Sequence, residues 1–248
     1  MTKTVRSSVS GMATRANPAF AGGVVGVALV ALAYALLAAP LQHLTYIHVM
    51  AGILWTGIDI FLGAVLGPVI GGLDEAASAD VFRRLTPKMT FLMPSLALVT
   101  IATGITLAGR VGLFPNATPW LALFTAATLV PALVLIAYRL DAWRDWRWQL
   151  PFAAATVGSL AWVALTIGDF AMTTPAVAVA LVIVAVLSVQ GFGFLLPGEV
   201  RVYLEMTAED PDPGVISTIG QQNAMLGGVQ GAFQLVLVVV MVLLRYGG

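Results

Sequence analysis

Apolar residues in this chain come in runs of about twenty, and polar residues are confined to the gaps between the runs. A helix needs about 20 such residues to cross a bilayer, at about 1.5 Å per residue. The pattern predicts seven spans: 19–39, 44–72, 90–109, 120–138, 152–167, 175–196 and 222–244. The second closes on Gly67-Pro68 and Gly71-Gly72, and the sixth on Pro197-Gly198. Pro94 falls in the first turns of the third span, and Pro131 predicts a kink in the fourth. Residues 74–86 (DEAASADVFRRLT) read as a short surface helix. Residues 197–217 are the most polar loop, with Glu199, Glu205, Glu209, Asp210 and Asp212. The expected architecture is all-α, a polytopic membrane helix bundle. Residues 1–18 form a cytoplasmic tail, and 19–248 form a single transmembrane helical domain.

Positive charge supports the count of seven. Lys3, Arg6 and Arg15 precede the first span, Arg83, Arg84 and Lys88 lie between the second and third, and Arg139, Arg144 and Arg147 follow the fourth. The alternate gaps hold one cation or none, so the rich ones share a side. The positive-inside rule then puts the N-terminus in the cytoplasm and the C-terminus outside, in a multi-pass protein of the cell membrane. The basic start and Ala35-Leu36-Leu37-Ala38 also resemble a signal peptide. The length of the run favours a retained span.

Composition agrees. Hydrophobic residues make up 59% and charged residues 10%, where soluble domains carry about 25% charged. Mean hydropathy is +0.95. Cations and anions number 12 each, which leaves no net field to draw nucleic acid. The absence of cysteine excludes disulfides and thiolate metal sites, and two histidines leave little for a multi-histidine centre.

Against this background the second span is unusual. His48, Trp55 and Asp59 are spaced by 7 and 4 residues, so they lie within about 20° of one face of a helix. An ionisable residue inside a span costs several kcal/mol if it faces lipid and is by default a functional candidate. His48 lies about one turn below the outer boundary and Asp59 nearer the middle. His43 is about 140° around the helix from His48, so the two cannot clamp one metal. His48 is an interfacial histidine bonded to a backbone carbonyl or water, an axial ligand to a haem in an apolar slot, or a proton relay or ligand to another metal. Met241 lies at a comparable depth as a second ligand, and Trp55 could stack on a flat ring or simply pack in the core. Asp59 is either a neutral carboxyl bonded to Thr56, Gln230 or Gln234, or a carrier of protons or a cation.

The last span holds an amide stripe of Asn223, Gln230 and Gln234, and Gln190 lies in the sixth. Each amide needs a partner in hydrocarbon. The stripe serves as interhelical glue, or with Asp59 it lines a pathway or polar pocket. Gly63-x-x-x-Gly67 and Gly227-x-x-x-Gly231 allow close helix packing. Spans two and six share a layout: a Gly/Pro element, an acidic surface segment with arginine, then a span rich in small residues.

His48, Trp55 and Gly57 resemble the His-x6-Trp-x-Gly pattern of copper-resistance-D-like membrane proteins and of the related membrane-bound protoporphyrinogen oxidases. Arg84-Leu85, Met93-Pro94-Ser95 and Thr103-Gly104 resemble the second half of that hairpin, and the likeness covers about residues 44–110. The resemblance implies haem b held through His48. It does not carry over the oxidase activity, which uses a lysine in a later span, because Lys3 and Lys88 are the lysines here. Copper transport is not implied either, without cysteines or methionine clusters.

Three functions follow as expectations. The first is b-type haem at His48, for electron transfer or as a respiratory or oxidase accessory. The second is a solute or ion permease, proton-coupled, using Asp59 and the amides. The third is a structural membrane subunit without cofactor. Partners are the lipid bilayer and, for its apolar surface, further copies of the chain or other membrane subunits.

Overall fold

The computed structural model describes residues 5–246, with side chains from Ser7 onward. Lys3 and the side chain of Arg6, counted above among the basic residues, lie outside that range. Eight helices and no strand are present among the described residues. They are α1 (Val5–Ala16), α2 (Pro18–Leu37), α3 (Leu41–Gly71), α4 (Glu75–Arg110), α5 (Ala117–Arg139), α6 (Trp146–Asp169), α7 (Pro175–Glu205) and α8 (Pro213–Tyr246). All but α1 are long and apolar enough to cross a membrane. The chain is a multi-pass integral membrane protein with seven apolar helices.

Several helices outrun the spans read from the sequence. The surface segment 74–86 is the start of α4, which carries Pro87 and Pro94 inside it. Much of the expected loop at 197–217 is helical too, leaving a connection at 206–212. Hydropathy marks where hydrocarbon ends, whereas a helix continues while its backbone bonds remain satisfied.

The Gly/Pro elements fail to stop α3 and α7 for a specific reason. A proline inside a helix loses one N–H and crowds the carbonyl four residues earlier. For Pro68 and Pro197 those carbonyls belong to Ala64 and Gly193, and both sit in π-helical turns, Phe61–Leu66 and Gly191–Leu195. The Gly67 N–H bonds Leu62 and the Leu196 N–H bonds Gly191, each reaching back five residues. The wider turn makes room for the ring. The shared layout of spans two and six thus extends to backbone geometry.

The helices divide into two compact units. The first contains residues up to Thr106 together with Gly198–Gly231, and the second Leu107–Pro197 with residues from Ala232 onward. In the first, α1 is a helix of its own rather than a plain tail, with Met12 and Ala16 buried. Asn17 joins it to α2 with φ of 78° and caps α2 by accepting from the Ala19 N–H at 2.9 Å. In the second, the Gly193 turn packs against Leu135 and Ala132 of α5. There Trp120 donates to the Ala171 carbonyl at 2.9 Å and Asn116 to that of Asp169 at 3.1 Å, tying the α5 start to the loop after α6.

Candidate functional site

Small residues bring α3 against the first half of α8. Gly63 and Gly228 meet backbone to backbone, Gly231 packs on Ile60, and Ala224 contacts Gly67. Both expected Gly-x-x-x-Gly pairs therefore act in one unit, where close backbone approach replaces side-chain packing. This contact holds Asp59 at 1% exposure, its carboxylate facing the bare Cα of Gly227. A Cβ at position 227 would lie 3.4 Å from Asp59 Oδ1. Gln230, also 1% exposed, occupies the same stretch of α8.

A second carboxyl joins Asp59. Glu199 of α7 is half-buried and close enough to Asp59 for their charges to interact. The Thr90 hydroxyl of α4 lies within hydrogen-bonding reach of the Glu199 carboxyl and also donates to the Thr86 carbonyl at 2.9 Å. The Asn223 amide covers Gly198, where a Cβ would stand 2.7 Å from its Nδ2. Asp59, Thr90, Glu199, Asn223 and Gln230 thus come from four helices of a single unit. Measured along the helices, Asp59 lies about 18 Å from the Gly71 end of α3 and Gln230 about 26 Å from the Pro213 end of α8.

Glu199 and Thr90 are the residues that sequence reading places elsewhere. Pro197-Gly198 reads as a stop, which puts Glu199 in a loop. A signal is nonetheless present, since Glu199, Val202, Tyr203 and Met206 follow the i, i+3, i+4, i+7 rhythm of a helix face. Gln190, Gln234 and Met241 belong to the second unit. There Gln234 is 3% exposed and Gln190 half-buried.

His48 sits about 16 Å from Asp59 along α3, eleven residues away. Its Nδ1 lies 2.9 Å from the Thr100 carbonyl oxygen, with Thr103 Oγ1 at 3.4 Å. A carbonyl only accepts, so Nδ1 carries the proton and Nε2 keeps its lone pair. The ring rests on Gly104, where a Cβ would stand 2.7 Å from Cε1. Trp55, two turns deeper, is 6% exposed. His43 is exposed and bonded through Nδ1 to the Tyr34 hydroxyl at 2.6 Å. Among the described residues no group of three or more metal-ligating side chains comes together.

Comparison with protein-family models, curated proteins and solved structures finds no match for this chain.

Proposed function

We propose that the protein is a permease, coupling the movement of a solute or ion to protons or cations taken up at Asp59 and Glu199. The observation that carries this reading is that Asp59 of α3, 1% exposed, and Glu199 of α7 lie within range of each other's charge inside one helical unit. Two acids buried near each other are stabilised by sharing a proton or a cation, and buried ionisable groups mark ion pathways in membrane proteins. Thr90, Asn223 and Gln230 add hydroxyl and amide groups able to bond either form. The π turn Phe61–Leu66, which begins two residues after Asp59, favours the same reading, since such turns are frequent at functional sites. In proteoliposomes carrying a pH-sensitive dye, wild type should dissipate an imposed proton gradient in the presence of substrate or cation. Asp59→Asn and Glu199→Gln should each abolish that flux. Unchanged flux in both variants would remove the basis of the reading.

A second reading has its own observation. The Nδ1–H bond from His48 to the Thr100 carbonyl is the kind of second contact that orients a histidine toward a metal through Nε2. That free Nε2 is a donor through which His48 would hold a haem b, in line with the resemblance of residues 44–110, and the bound group would supply one-electron transfer. Gly104 seats the His48 imidazole itself, which fixes the side chain that would hold the group. Purified protein should then show a Soret band that His48→Ala removes. A colourless wild type sinks this reading and leaves the first untouched.

A further inference from the structure

Four helices of the first unit change character along their length. Glu199 of α7 is followed at i+3 and i+4 by Val202 and Tyr203, and at i+7 by Met206 just past the helix end, all buried. On α8, Asn223 is preceded at i−4 and i−7 by Ile219 and Ile216. On α4, Thr90 and Thr86 are preceded by Phe82 and Ala79, and on α3 Asp59 is followed by Ile70. Toward the end where α1 lies each helix contributes buried apolar residues, and the one hydroxyl pair among them, Ser78 and Ser217, is closed on itself at 2.7 Å with Gln221 beside it. The apolar residues form one buried cluster, and Met12 of α1 completes it.

The fits inside the cluster are close. The Phe82 ring lies on Gly220 and the Tyr203 hydroxyl lies on Gly11, with no room for a Cβ at either glycine. From Glu199 to Met206 is about 10 Å of helix, and apolar layers of this kind block ions by excluding water. The arm that completes the layer has a defined joint. Asn17, in the left-handed region that asparagine tolerates, separates α1 from α2.

We propose that this apolar layer, with α1 as its outermost member hinged at Asn17, is a gate that closes the Asp59–Glu199 pocket to water from the α1 end. The proposal rests on the reading of that pocket as the ion-handling site and names how access to it is controlled. The contact between Gly11 and Tyr203 is the latch, and lifting α1 removes Met12 from the seal.

The test is the access of a membrane-impermeant carbodiimide, with an amine nucleophile, to Glu199. Full-length protein is captured on an N-terminal tag before reconstitution, so the reagent meets the α1 side. Glu209, exposed in the connection at that same end, is the internal reference. In wild type, Glu199 should be modified at least tenfold more slowly than Glu209, read by mass spectrometry. Gly11→Leu and Met12→Asp should each raise the Glu199 rate at least tenfold and leave Glu209 unchanged. Wild-type Glu199 reacting as fast as Glu209, or unchanged Glu199 rates in both variants, overturns the gate. Where a variant aggregates, the wild-type ratio decides alone. The labelling requires no transport. Absent flux with intact protection removes the permease reading, whereas normal flux with an unprotected Glu199 removes the gate.

Discussion

Gly63 of α3 and Gly228 of α8 share a contact in which each leaves no space for a side chain on the other, and a Cβ on Gly228 would stand 2.9 Å from the Gly63 Cα. This approach seats Asp59 against Gly227, one helical position from the crossing. Gly228→Ala should therefore force the helices apart and lower stability by about 1–3 kcal/mol, as overpacking does. Gly22→Ala, at a site with open space around it, should be neutral or stabilising by up to about 1 kcal/mol from helix propensity. Thermal unfolding in detergent compares the two. Equal effects would show that the crossing is loose.

Ser78 and Ser217 form a buried hydroxyl pair at 2.7 Å, and Gln221 reaches the Ser217 oxygen at 3.3 Å. Ser78→Ala leaves a hydroxyl on α8 with one partner fewer, at an expected loss of about 1–2 kcal/mol. The double variant with Ser217→Ala should lose less than the sum of the two single losses, because the pair is removed as a unit. Additive losses measured by chemical unfolding would contradict a shared bond.

Asp59 and Glu199 should behave as one titrating unit. A double-mutant cycle with Asp59→Asn and Glu199→Gln, read by thermal unfolding, should give a non-zero coupling of about 0.5 kcal/mol or more, as for residues within one polar network. A coupling of zero would separate the two carboxyls into independent sites.

The π turn of α7 precedes Pro197 and Glu199 along the same helix. Deleting Phe192 would return the helix to α geometry and rotate every later residue by about 100°. Glu199 would leave Thr90, and the Pro197 ring would again crowd a carbonyl, at about 3 kcal/mol or more. The deletion should lose proton flux and unfold at lower temperature. Adding Pro197→Ala should restore much of the stability and none of the flux. Recovered flux would mean that the rotation of Glu199 is unimportant.

Much of the architecture was legible along the chain. Seven apolar runs became seven apolar helices because each must satisfy its backbone internally in hydrocarbon. Asp59 stood out for the same reason, and the paired Gly-x-x-x-Gly motifs anticipated the crossing that buries it. What misled was punctuation. Pro68 and Pro197 read as stops, and the π turns that let a helix pass through a proline have no signature in composition or hydropathy. The consequence fell on Glu199, read as a loop acid.

The sequence alone determined the class of protein, the count of apolar helices and the identity of the misfit residues in α3, since all of these follow from transfer free energies that depend on local composition. Tertiary structure decided which polar groups meet. It drew Glu199 and Thr90 to Asp59, divided the amides between two units, tied His48 to the Thr100 carbonyl and placed Met12 of α1 in an apolar seal. Those pairings depend on helix rotation and on backbone contact at glycines, quantities set by packing between segments far apart in the chain.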